Sequence, residues 1–152
     1  MIGKTDETTT LNTLTATLLD SVNGYRDAAA NSESGRFQEL FRTNADERAR
    51  VVEDLRAEVR RLGGNPEDDQ STMGALHQRW LDLKAAITGR DDKAIINEVE
   101  RGEDYLKEKF ETALADDGLG TECRAVVERA YQSVREGHDR MSALKHSLET
   151  NS

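Results

Sequence analysis

Asn44-Ala45-Asp46-Glu47-Arg48-Ala49-Arg50-Val51 decides how the whole chain is read. The stretch lies inside a longer run, Arg36 to Leu62, whose apolar residues Phe37, Leu40, Phe41, Val51, Val52, Leu55, Val59 and Leu62 fall at the three-and-four spacing of one helix face. Continued from Phe41 to Val52, that face passes through Asn44, Ala45 and Arg48. Asn44 and Arg48 are therefore expected to point inward. An arginine cannot shed its charge, and left unpaired in an apolar interior it costs several kcal/mol, so an acid from a facing helix must meet it.

Outward from this stretch, every long segment repeats the helical pattern. On the N-terminal side, Leu11, Leu14, Leu18, Val22, Tyr25 and Ala29 predict a helix over about residues 10–31, preceded by a frayed polar tail at 1–9. Asn31-Ser32-Glu33-Ser34-Gly35 is too short a link for anything but an antiparallel return, so the second helix runs from about 35 to 62. Its end is marked by Leu62-Gly63-Gly64-Asn65-Pro66, with glycine at the left-handed cap and proline just beyond. Met73, Leu76, Trp80, Leu83 and Ile87 predict an additional helix at about 71–88, closed by Thr88-Gly89. Asp91 then caps a helix over about 91–115, and a last helix spans about 120–148. No stretch has the alternation of a strand. The expected fold is all-α: an antiparallel four-helix bundle, forming one domain over 10–148, with an extra helix in the long crossover between helices two and three.

Composition agrees with amphipathic helices and narrows the function. Hydrophobic residues are 36% and charged residues 34% of the 152, with a single proline. A formal net charge of −9 offers no attraction to nucleic acid or to an anionic membrane surface, so neither is an expected partner. No apolar run is long enough to span a bilayer, and the polar residues Met1 to Thr10 lack the apolar core of a signal peptide, which makes the cytoplasm the expected location. Cys123 sits on an apolar helical face, where a buried inert thiol is expected. No nucleophile signature and no glycine-rich phosphate loop is present.

Comparing the middle of each long helix finds more polar residues at inward spacing. The third helix offers Glu103 between Val99 and Leu106, and the fourth offers His138 between Val134 and Met141, with Arg135 at its flank. Glu103 is the acid expected to meet Arg48, with His138 or Tyr25 taking the spare hydrogen bonds, and Asn44 and Arg135 are expected in the same buried polar cluster.

These features resemble the ferritin-like superfamily and, more narrowly, a small bacterial four-helix family known as domain of unknown function 2383. The resemblance rests on Leu11-Asn12-x-Leu14, Asn23-Gly24-Tyr25-Arg26, Glu47-Arg48 and Leu62-Gly63-Gly64-x-Pro66. It continues through Gly74-Ala75-Leu76-His77-x-x-Trp80-x-Asp82-Leu83-Lys84, Arg90-Asp91-Asp92 and Glu100-Arg101-Gly102-Glu103-Asp104, and covers about residues 10–147. It implies ferritin-like connectivity and an association with stress physiology. Iron-oxidising relatives place a glutamate seven residues before a tyrosine on helix one, where this chain has Leu18, and Glu-x-x-His on helix two, where it has Arg48 and Val51. They place a lone glutamate on helix three, here Glu103, and a second Glu-x-x-His on helix four, here Arg135-x-x-His138. One carboxylate and one imidazole cannot hold two metal ions in a site built from four carboxylates and two histidines.

The expectation is thus a metal site replaced by an ion pair, no cofactor, and a non-catalytic structural or interaction protein. The rival is a divergent iron- or manganese-binding protein that uses Glu103 and His138 with Glu47, Glu100 or Glu136 one position off. His77 is expected as a partly buried hydrogen-bonding residue and His146 as a helix-end cation. Met73, Trp80, Leu83 and Ile87 form an apolar seam that either closes the domain or makes contact with a second copy or another protein.

Overall fold

In the computed structural model, which describes residues 4–66, 85–116 and 118–150, the protein is helical and no strand occurs among the described residues. Its long helices are α1 (Lys4–Asn31), α2 (Gly35–Arg61), α3 (Asp92–Leu114) and α4 (Thr121–Thr150). Residues 85–87 are also helical, and the rest of the additional helix expected over 71–88 lies outside the described residues.

Local chemistry explains the boundaries. The side chain of Asp91 accepts a hydrogen bond from the Ala94 backbone N–H at 2.9 Å, satisfying one of the orphan donors of the first turn of α3. At the other end of α2, Gly63 adopts φ +84°, and the Gly63 and Gly64 N–H groups donate back to the Arg60 and Val59 carbonyls. Gly64 is also a point of close approach, since a Cβ there would lie 2.6 Å from Thr8 Cγ2 on α1. The α1–α2 link is pinned from a distance: both carboxylate oxygens of Asp92, at the start of α3, accept from the Glu33 and Ser34 backbone N–H groups at 2.9 and 3.1 Å.

Helix α1 begins six residues before the expected start at Thr10, so most of the supposed tail is helical. The reason is tertiary. Glu7 is 9% exposed and its carboxylate accepts from the Gly120 N–H ahead of α4, which extends the helix over the end of its neighbour. Such a contact leaves no periodic apolar signal in a run of threonines and acids.

Helix α1 packs on α2 and α3, and α4 packs on α2 and α3. The pairs α1/α2, α2/α4 and α3/α4 run antiparallel, as their cross-contacts show: Tyr25 meets Phe41 while Asn12 reaches Asn65, Asn44 meets Met141 while Arg61 meets Glu122, and Glu100 meets Lys145 while Glu111 meets Tyr131. The enclosed core has two parts. One contains Leu11, Leu14, Leu18, Val52, Leu55, Leu106, Phe110, Val127 and Val134; the other contains Val22, Tyr25, Phe41, Ala45, Ile87, Ile95, Val99 and Met141. On every long helix the break between the two parts falls at one level. It lies between Leu18 and Val22, between Ala45 and Val51, between Val99 and Leu106, and between Val134 and Met141.

Candidate functional site

A charged group fills that break. Arg48 on α2 and Glu103 on α3 are each 2% exposed and form a two-pronged pair, Nη1 to Oε1 at 2.7 Å and Nη2 to Oε2 at 2.5 Å. Arg48 Nη1 also donates to Ser21 Oγ at 2.7 Å, and Nη2 to the Val134 carbonyl at 3.4 Å. The Tyr25 hydroxyl donates to Glu103 Oε1 at 2.8 Å, while its ring stands 5.6 Å from the guanidinium carbon. All four long helices therefore contribute to one buried group, which satisfies the charge that an unpaired arginine could not lose. Burial, reinforced by the Glu103 charge, holds the Tyr25 pKa well above the ordinary tyrosine value, so the hydroxyl keeps its proton and remains a donor. Burial also opposes the Arg48 charge, but Glu103 outweighs it and Arg48 stays protonated.

The guanidinium needs space on α4, and Gly137 supplies it. A Cβ at Gly137 would lie 2.5 Å from Arg48 Nη2 and 3.7 Å from Glu103 Oε2. Along α4 the residues facing inward here are Val134, Gly137 and Met141, at three-and-four spacing. His138, expected to face inward, occupies the adjacent position. A glycine in the middle of a long polar helix was the available signal, since it weakens the helix unless a neighbour needs the room. Ser21 was the other participant that sequence reasoning missed, because a lone serine on an amphipathic helix has no distinguishing pattern.

The remaining site residues fall as follows. Asn44 is buried at 2% exposure beside the pair; its Nδ2 faces Met141 Sδ at 3.8 Å, and its Oδ1 has no hydrogen-bond partner among the described residues. Arg135 is exposed and takes no part in the cluster. His138 is also outside it: Nε2 lies 2.6 Å from Asp104 Oδ1 and Nδ1 lies 3.2 Å from Asp139 Oδ1, on the outer seam between α3 and α4. These two placements correct the expectation, and both follow from Gly137 taking the inward position. Glu47 pairs with Arg140 at 2.6 Å, Glu100 with Lys145 at 3.3 Å, and Glu136 is exposed. Ile87 is 0% exposed and belongs to the core. Met73, His77, Trp80 and Leu83 lie outside the described residues, and His146 is exposed near the end of α4.

Cys123 is 1% exposed, and burial together with a hydrogen bond to Glu7 pushes its thiol up to about 12, which suits an inert core residue. Between α1 and α3 a cavity of about 400 Å³ reaches the ion pair; it is bordered by Asp20, Ser21 and Tyr25 on one helix and by Glu98, Gly102 and Glu103 on the other. Among the described residues no helix is long and apolar enough to cross a membrane.

The central donor set does not suit a two-metal centre. Glu103 has both oxygens on Arg48, and among the described residues no histidine or second carboxylate belongs to the buried group. In comparisons with known proteins, the sequence model of a family described as Domain of unknown function (DUF2383) matches residues 6–116. No curated protein matches the chain.

Proposed function

The chain belongs to the DUF2383 family, and from that premise we propose that it is a ferritin-like four-helix bundle with a non-catalytic role, structural or protein-interacting, in the cytoplasm. In this reading an ion pair stands at its waist where iron-oxidising relatives hold metal. Support comes above all from the Arg48 guanidinium, which lies at the level shared by all four helices with its hydrogen bonds directed at Glu103, Ser21 and Val134. A permanent cation in that volume repels dications, and Glu103 already has its counter-ion. The parallel run from α2 to α3 across residues 62–91 supports the ferritin-like connectivity, because only a long crossover permits it.

The test is to titrate the protein and its Glu103→Ala variant with ferrous iron and with manganese, counting equivalents held after gel filtration. The reading expects no pair of ions that depends on Glu103, and no iron-oxidising turnover. Two bound equivalents in the native protein, lost on substitution of Glu103, would overturn it.

A further inference from the structure

The seam between α3 and α4 holds a second group of polar side chains, separate from the central pair. Glu100 and Asp104 are one turn apart on the same face of α3, and His138 faces them from α4. One ligand atom from each lies within 4.8 Å of the other two. Glu100 and His138 are largely covered, with side chains 14% and 13% exposed, while Asp104 is open to solvent at 58%. The histidine has the arrangement of a metal ligand. Nδ1 is engaged by Asp139 at 3.2 Å, which orients the ring, and Nε2 meets Asp104 Oδ1 at 2.6 Å, with a Glu100 oxygen within the same 4.8 Å group.

From this geometry we propose that Glu100, Asp104 and His138 form a mononuclear site for a divalent transition-metal ion, with Asp139 positioning the imidazole. One nitrogen and two oxygens from two helices make a three-ligand set of the kind that Zn²⁺ and Co²⁺ accept, leaving outward positions for water. Ion entry displaces the hydrogen shared between His138 Nε2 and Asp104 Oδ1 and releases it to solvent, and it frees Lys145 from Glu100. The side chains must draw in slightly, and Asp104, at the open edge, has room to do so. The ion would join α3 to α4 without touching Arg48 or Glu103. The inference therefore stands apart from the reading of the central pair, and the two fail independently.

Untagged protein, stripped with chelator, is titrated with Zn²⁺ against a chromophoric chelator and separately with Co²⁺ while its visible ligand-field bands are recorded. The expected result is one equivalent of each ion, with Co²⁺ bands of a mixed nitrogen and oxygen site. His138→Ala and Asp104→Asn should abolish saturable binding, and Asp139→Ala should weaken it about tenfold or more. His77→Ala, His146→Ala and Glu103→Gln should leave it unchanged. Circular dichroism on each variant separates loss of the ligand from loss of the fold. No saturable binding by the native protein, or binding that disappears with His77 or His146 but survives His138→Ala in a folded variant, would overturn the proposal.

Discussion

Arg48 and Glu103 form a buried pair in which neither partner can be removed alone without stranding the other. Glu103→Ala leaves a guanidinium at 2% exposure with only Ser21 and a distant carbonyl, and should lower unfolding stability by about 3–5 kcal/mol in denaturant titrations. Replacing both residues, Arg48→Met with Glu103→Leu, should restore stability to the native level or exceed it by about 1–4 kcal/mol, because an apolar pair avoids the desolvation of two charges. If the double variant is as unstable as the single one, the pair has a role beyond mutual neutralisation. Tyr25 gives a second check at this scale. Its folded pKa is raised by burial and by Glu103, so the stability linked to its proton is fully present below the unfolded value of about 10 and is lost as the pH climbs above it. In an alkaline absorbance titration, Tyr25 should ionise only together with unfolding, whereas Tyr25→Phe should remove that late component.

The decisive element is α4, which would be an unremarkable amphipathic helix but for Gly137. Alanine in a helix interior is ordinarily about 1 kcal/mol better than glycine. Here the added Cβ would fall 2.5 Å from Arg48 Nη2, and that nitrogen is held by Glu103 and cannot easily swing aside. Gly137→Ala should therefore cost about 1–3 kcal/mol in the native background, the usual range for an overpacked interior. Combined with Arg48→Met the same change should become favourable by about 1 kcal/mol. This reversal of sign, read from a double-mutant cycle by chemical denaturation, tests whether the glycine is there to admit the guanidinium. Much of each helix was legible in advance. The Asp91 cap, the Gly63 terminator and the inward Arg48 follow from local rules. The choice between Gly137 and His138 did not, because residues about 100° apart on a helix both satisfy the spacing from Val134 and Met141.

At the scale of the whole molecule, the α3–α4 seam makes stability depend on pH. Burial works against a charged His138, but its hydrogen bonds with Asp104 and Asp139 outweigh that and raise its pKa above the ordinary histidine value. The folded pKa is the higher one, so the contribution is fully present below the unfolded value of about 6.5 and is lost as the pH rises through the folded pKa. For metal-free protein, the difference in Tm between the native chain and His138→Gln should be largest at pH 5.5 and shrink towards pH 8.5. A difference that stays constant across that range would show that the histidine is not protonated on this seam.

The order of the residues alone determined that the described chain is helical, where α2, α3 and α4 begin and end to within a few positions, and that Arg48 required an acid, because periodicity, caps and the cost of burying a charge act locally. Tertiary packing alone decided that α1 reaches back to Lys4, that Ser21 and Gly137 complete the central group, and that His138 turns outward to Asp104. Those outcomes depend on how neighbouring helices are rotated about their axes. That rotation is set by all four faces together and is written in no single one of them.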